Sequence, residues 1–424
     1  AFHLRKAPGP HQSIEFVEGT LNFRECSARY IQFPYRLNRL KGVVHFRADG
    51  RIALENITGE HGTARVAING LLGGRLSQQG DLTITGQGID LDQDLLTCLS
   101  PRDQAIIHRF HPVMKADTTV RMERPAAPLG APRPKWANDI EITISEGSVN
   151  MEMFPYPLDQ LHGKARLAEG RISITELSAR QGDGKITAGG IVKDNDDKGF
   201  DLDLDIEATH IVLDEVLGAA LPAVGRDLYQ RFQPHGIADI KGRLSTLSAG
   251  GLDCVFSALL TDASVALSNC PRRLTECRAQ LKINPGEIEV ESLEGKFGTC
   301  PVRGRLRLPL DPTDPSLELH IESPAMALDD PLKQALPEPA RRVWDSFQPR
   351  GLAGLRIDYE QRGPATRPST TMADSLAQLP VANYAITLEP QDCEILYREF
   401  PLPLRQIRGR IDVRPDSITI ASST

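Results

Sequence analysis

The sequence predicts a mainly β protein with short helices, built from repeated antiparallel β units that each carry a short helical pair. Three observations predict it. Apolar and polar residues alternate at period two through most of the chain. Gly, Pro and Asn signals cut that alternation into strand-length runs. Both patterns, with a short stretch of helical spacing, recur about every 120 residues.

The opening half of each repeat begins with a Phe-Pro box. Phe33-Pro34-Tyr35, Phe154-Pro155-Tyr156 and Phe400-Pro401-Leu402 are three copies, and Cys270-Pro271 is a degenerate fourth. A Leu or Ile two positions before a Gly follows at Leu40 and Gly42, Leu161 and Gly163, and Ile407 and Gly409. Then Ile52, Ile57 and Gly62 are matched by Ile172, Leu177 and Gly182, and by Ile288, Leu293 and Gly298. A second glycine closes the half at Gly70, Gly190 and Gly304. Alternation puts Ile140, Ile142, Ile144, Ile172, Ile174, Leu202, Leu204 and Ile206 on one sheet face. Leu281, Ile283, Ile288, Val290, Leu317, Leu319 and Ile321 take the same face, and neighbours such as Asp203, Asp205, Glu318 and His320 take the other.

The closing half switches to helical spacing. Leu91-Asp92, Leu213-Asp214 and Leu328-Asp329 stand at one fixed distance before Phe110, Phe232 and Phe347, which Pro112, Pro234 and Pro349 follow. Leu95 and Leu99, Leu217 and Leu221, and Leu332 and Leu336 are one turn apart, and each preceding Asp suits an N-cap. Pro101, Pro222 or Pro337 then interrupts. A second helix carries Ile106, Ile107 and Phe110, matched by Leu228, Tyr229 and Phe232, and by Val343, Trp344 and Phe347, each set on one helical face. Helical pairs are therefore expected over 92–111, 214–233 and 329–348, with Phe110, Phe232 and Phe347 buried against the sheet as plugs over its apolar face.

The repeats divide the chain at 1–123, 138–248 and 249–361, with 381–424 as the opening part of a fourth. Residues 124–137, rich in Pro, and 362–380, rich in Pro, Ser, Thr and Ala, read as loops between them. The strand signals total about twenty. Residue 1 is Ala with no leader ahead of it, and the last residues read as a strand barely finished, so the chain is expected to be an internal segment of a longer protein.

Composition narrows the function. Hydrophobic residues make up 40% and charged residues 25% of 424, enough apolar mass for a large core. The net charge of −7, with no basic domain, excludes nucleic acid as partner. No window of about 18 apolar residues is present to span a bilayer. Seven cysteines, an odd count, exclude a disulfide scaffold, although Cys270, Cys277 and Cys300 share one repeat and leave one bridge open. Motifs of catalysis are weak. Gly182-Asp183-Gly184-Lys185 resembles the end of a phosphate loop, but Ala179 replaces its first glycine, which leaves a hairpin turn. Residues 194–199 resemble a calcium loop with Lys198 at a ligand position. His108 and His111 with Cys98 have no counterpart in the sister repeats, and the row Asp201, Asp203, Asp205 reads as a solvated face. No enzyme, metal or cofactor is expected.

The segments Leu221-Pro222 through Phe232-Gln233-Pro234-His235-Gly236, and Leu336-Pro337 through Phe347-Gln348-Pro349-Arg350-Gly351, resemble the Leu-Pro, short helix, Pro-x-Gly segments of AsmA-like proteins, the AsmA/TamB superfamily of large bacterial envelope proteins. The first copy differs, with Val113 and Met114 where glycine is expected. The resemblance implies a periplasmic, non-enzymatic segment, anchored to the inner membrane by an N-terminal helix outside this sequence. It implies an elongated sheet curled into a U-shaped, taco-like trough. The apolar face of that trough is then lined by the fourteen positions Ile142, Ile144, Ile172, Ile174, Leu202, Leu204, Ile206, Leu281, Ile283, Ile288, Val290, Leu317, Leu319 and Ile321, although the alternation alone is equally compatible with a closed sandwich that packs this face on itself. Its ligand is phospholipid or another acyl-chain lipid moving between inner and outer membranes in outer-membrane biogenesis and maintenance, with an outer-membrane protein as partner. At about 0.8 kcal/mol per buried CH2, an acyl chain of roughly 16 carbons gains on the order of 10 kcal/mol from such a face. The alternative is a structural or assembly scaffold of the cell envelope that binds partner proteins through its sheet edges.

Overall fold

Strands occupy 70% of the chain and helices 12%. The computed structural model describes the chain apart from residues 1, 7–13, 74–78, 128–131, 133, 153, 196–198, 247–251, 267–269, 312–313, 315, 337, 363–380, 401 and 422–424. Its 23 described strands belong to one antiparallel sheet that is not closed into a barrel. Two compact units divide it, residues 1–206 and residues 207–247 with 251–424.

The first unit starts with β1 (Phe2–Lys6), β2 (Ile14–Tyr30), β3 (Phe33–Phe46), β4 (Ile52–His61), β5 (Ala64–Leu72) and β6 (Gly80–Asp90). Helices α1 (Gln93–Cys98) and α2 (Pro101–Phe110) follow. Strands β7 (Val113–Arg124), β8 (Ala137–Met151), β9 (Phe154–Ala168), β10 (Arg171–Gln181), β11 (Gly184–Asn195) and the start of β12 (Gly199–Val212) complete it.

The second unit takes up α3 (Glu215–Ala220), α4 (Ala223–Phe232), β13 (His235–Thr246), β14 (Leu252–Val265), β15 (Leu274–Asn284), β16 (Glu287–Phe297), β17 (Cys300–Pro309) and β18 (Leu317–Ala327). Helices α5 (Asp330–Ala335) and α6 (Glu338–Phe347) come next. Strands β19 (Arg350–Arg362), β20 (Val381–Leu396), β21 (Pro403–Arg408), β22 (Arg410–Val413) and β23 (Ile418–Ala421) end it.

The helices start where their caps dictate. Asp92, Asp214 and Asp329 each accept the backbone N–H three residues on, from Leu95 at 2.8 Å, Leu217 at 2.9 Å and Leu332 at 3.1 Å. This satisfies a donor that the first turn cannot. The second helix of each pair ends at its Phe, and the next residue turns left-handed: His111 at φ 43°, Gln233 at 41° and Gln348 at 43°.

The closing glycines are dictated by close approach. A Cβ on Gly70 would lie 2.2 Å from the Asp81 carbonyl oxygen, and one on Gly190 2.1 Å from that of Asp203, with φ of +153° and +145°. Only glycine lets the neighbouring strand come so near.

A feature hidden in the sequence sets the bend of the strands. Arg39, Gln160, Glu276 and Gln406 all have left-handed φ, between 50° and 59°. Each stands at the same distance behind its box, at Phe33, Phe154, Cys270 and Phe400. The ladder register shifts there, for example between Asn38 and Lys41 and between Thr275 and Arg278. Glu25, Asp262 and Asp392 repeat the device one strand earlier. These are β-bulges, which add an unpaired residue, bend the strand and increase its twist.

Burial is graded along the strands. In β15, Leu274, Cys277 and Ala279 are buried, whereas Leu281 and Ile283 are half-buried. In β19, Ala353 and Leu355 are buried and Ile357 and Tyr359 half-buried. The buried ends are those beside the helices: Leu332 belongs to the core cluster of Leu274, Phe297, Val302, Met326 and Leu355, and Trp344 packs against it. Arg272 ties the pair to the sheet, its guanidinium 2.9 Å from Asp329 and over the Phe297 ring.

One expectation is corrected. Phe110 is 41% exposed rather than buried, while Phe232 and Phe347 are half-buried. Phe347 stacks on Tyr397, centroids 5.2 Å apart; the matching position ahead of Phe154 is Met151, which supplies no ring. The bridge left open among Cys270, Cys277 and Cys300 is not formed. Each thiol faces elsewhere: Cys270 donates to the Pro331 carbonyl, Cys300 Sγ accepts from Ala327 N, and Cys277 lies against Gly295. The loop at 362–380 lies outside the described residues beyond Arg362, as does the centre of the 194–199 turn.

Candidate functional site

Strand register converts one-faced alternation into continuous apolar rows across the strands. In the first unit Ile57 opposes Ile68, and the row continues through Ile84, Val120, Ile140, Leu167 and Ile172 to Val192. Beside it Ile142 opposes Ala165, which opposes Ile174. In the second unit Ile240, Ala258, Leu281, Val290, Leu306, Leu319, Tyr359 and Tyr384 form one row, each opposite the next. Leu260, Ala279, Leu293, Gly304, Ile321, Ile357, Ile386 and Val413 form the adjacent one. Each full row crosses eight strands. At about 4.8 Å per strand a row runs about 34 Å without a charged side chain.

All fourteen positions expected on this face, from Ile142 to Ile321, are half-buried. None is sealed in a core and none is open to water. Other members of the rows are buried, Ile57 at 5%, Ala258 at 8%, Ala279 at 4% and Ile386 at 7%. The opposite face is polar and cross-linked by ions. Arg166 grips Asp139 with two hydrogen bonds of 2.8 and 2.7 Å, which hold that carboxyl below its ordinary range. Arg307 reaches Glu287 at 2.7 Å, and Lys282 pairs with Glu291. Asp201, Asp205 and Glu318 are exposed as expected, whereas Asp203 and His320 are half-buried. His320 is shielded by its cross-strand neighbour Asp358, Nδ1 to Oδ1 2.5 Å.

Neither a protein-family model, nor a curated protein, nor a solved structure matches the chain. The functional reading therefore stands on this geometry.

The weaker motifs scatter. Gly182 and Asp183 form the two-residue turn between β10 and β11. His111 is the left-handed cap of α2, its Nε2 3.4 Å from Glu152, and His108 is exposed. Among the described residues no three His, Cys, Asp or Glu side chains come together as a metal would need, and no helix is long and apolar enough to cross a membrane. Burial pushes the Cys277 thiol up to about 11, which keeps it protonated and unreactive.

Sequence reasoning missed part of each row. Ile240, Leu306, Tyr359 and Tyr384 belong to it, but Ala258, Ala279 and Gly304 dilute the apolar signal between them. Their signal is positional: Ile240, Leu306 and Tyr359 each stand between two charged residues, as Leu306 does between Arg305 and Arg307, whereas Tyr384 stands between Asn383 and Ala385.

Proposed function

We propose that the apolar rows line a trough that carries acyl-chain lipid, and that the chain works without catalysis. The observation that carries this is the unbroken, charge-free row across eight strands in each unit, half-buried at every position but Ile57 in the first and Ala258 in the second. An incompletely buried apolar surface of that extent favours a binding surface, since monomers rarely leave one bare. A row of about 34 Å exceeds one acyl chain, which spans about 15 Å, half of a bilayer's hydrocarbon core. The recurrent bulges favour a curled, U-shaped sheet, and the burial gradient favours helical pairs that close one side of the trough. On this reading the protein is a segment of an AsmA-like envelope protein, held in the periplasm, that passes phospholipid between the two membranes.

Mass spectrometry of an organic extract of the purified chain tests the reading. Co-purifying phospholipid is the expected result. A folded chain that yields none would leave an envelope scaffold, binding partner strands at its sheet edges, as the better account.

A further inference from the structure

The first helical pair is held on the sheet differently from the other two. α1 buries none of its residues, whereas α3 buries Leu217 and Ala220 and α5 buries Leu332. With so little apolar hold, the polar contacts of α1 decide how firmly it sits. They converge on His61, the last residue of β4, whose side chain is only 14% exposed. Its Nε2 lies 3.4 Å from Asp92 Oδ2 and 3.4 Å from Asp94 Oδ2, on the cap and first turn of α1. Stacking on Tyr35, centroids 4.1 Å apart, fixes the ring.

The protons on that ring are constrained. Nδ1 is 2.7 Å from the Arg36 carbonyl oxygen, which can only accept, so Nδ1 carries a hydrogen in either charge state. A neutral His61 therefore turns a bare Nε2 lone pair towards two carboxylates. The imidazolium puts an N–H there instead and forms a charge-assisted contact with both. The other charged or titratable groups around it are Asp90 of β6, which Lys115 of β7 reaches at 3.5 Å, Cys98 of α1, Tyr35 of β3 and Arg29 of β2. Glu60, next in the chain, is paired with Arg39. Apart from His61 the cluster is rich in carboxylates, which favours a cation at its centre.

The sister repeats show that this arrangement is particular to the first. The place of His61, directly before the turn glycine, is taken by Gln181 and Phe297, and that of Asp94 by Val216 and Pro331. The histidine and the second carboxylate thus occur together, in one copy of three. In the third copy the cap Asp329 is met by Arg272 at 2.9 Å, a cation at every pH of interest.

We infer that the first helical pair is fastened by a proton: His61 as imidazolium clasps α1 through Asp92 and Asp94, and its deprotonation loosens the pair while the third pair stays closed. The sign follows from the charges. The clasp is present where imidazole is protonated and is lost as pH rises through the range of about 5 to 8 in which its charge changes. The inference does not depend on what the apolar rows carry.

Hydrogen–deuterium exchange of the full chain tests it, corrected for the intrinsic pH dependence of amide exchange. Protection over 93–110 should fall about fivefold from about pH 5.5 to about pH 8, while protection over 330–347 stays level. His61→Gln, which installs the residue of the second repeat, should make 93–110 independent of pH. Asp94→Val, at an exposed position that caps nothing, should shrink the change to roughly twofold. His111→Gln, beside Glu152 at the far end of α2, should leave the change intact. No change with pH, an equal fall in both pairs, or protection that rises towards pH 8 would overturn the inference. So would a pH dependence that survives His61→Gln, or one that disappears in His111→Gln.

Discussion

Tyr35 is buried beneath the first hairpin, and its hydroxyl has no hydrogen-bond partner among the described residues. Burial first, then the nearby carboxylates Asp92, Asp90 and Asp94, push its pKa up to about 12. The folded protein thus keeps a proton that the unfolded chain releases near 10, so this tyrosine favours folding below pH 10 and loses that contribution as pH rises through 12. Tyr35→Phe removes the unpaired hydroxyl and should leave stability equal or raise it by about 1 kcal/mol. It should also flatten the fall of stability between those pH values, read by urea unfolding across the range. Glycines give a second residue-scale contrast. Gly62 has nothing within 4 Å of a built Cβ, so Gly62→Ala should cost only its left-handed strain, about 1 kcal/mol. Gly70→Ala must also push β5 away from β6, and should cost about 3 kcal/mol or more in the same assay.

At the scale of the element, the helical pairs hang on caps and a few rings. Asp329→Ala removes both the α5 cap and the Arg272 ion pair, and should cost about 1–2 kcal/mol. Phe347→Ala should cost about 2 kcal/mol, because the ring is half-buried and stacked on Tyr397, whereas Phe110→Ala at an exposed site should cost less than about 1 kcal/mol. A Phe110 variant as costly as Phe347 would show that α2 packs as tightly as α6. Much of this was legible in the sequence: the three Asp caps, the breaks at Pro101 and Pro222 and the Phe ends fall where the spacing put them, because caps and breakers act on their own few neighbours. The bulges were not. Arg39, Gln160, Glu276 and Gln406 have no one residue type in common, and none is the glycine that a left-handed position favours; their backbone is set by the strands on either side rather than by their own side chains. The exposure of Phe110 was hidden for a similar reason, since burial of a ring depends on what a distant strand offers it, here Met151 in place of Tyr397.

For the whole molecule, the alternation and its half-burial are the facts that any function must use. Between bulges, which face each residue takes was legible, because a strand's period fixes it; across Arg39, Gln160 and Glu276 the buried parity changes, as from Leu274 to Cys277. How far each position is buried was not, because burial depends on the helices at one end of the strands and their absence at the other. The most direct test of the trough places a photo-reactive residue at Leu319 and, in a second chain, at Glu318, next to it but on the polar face. After irradiation in cells, adducts are read by mass spectrometry. The account predicts lipid adducts at 319 and none at 318. Equal adducts at the two positions, or none at either with the fold intact, would contradict it.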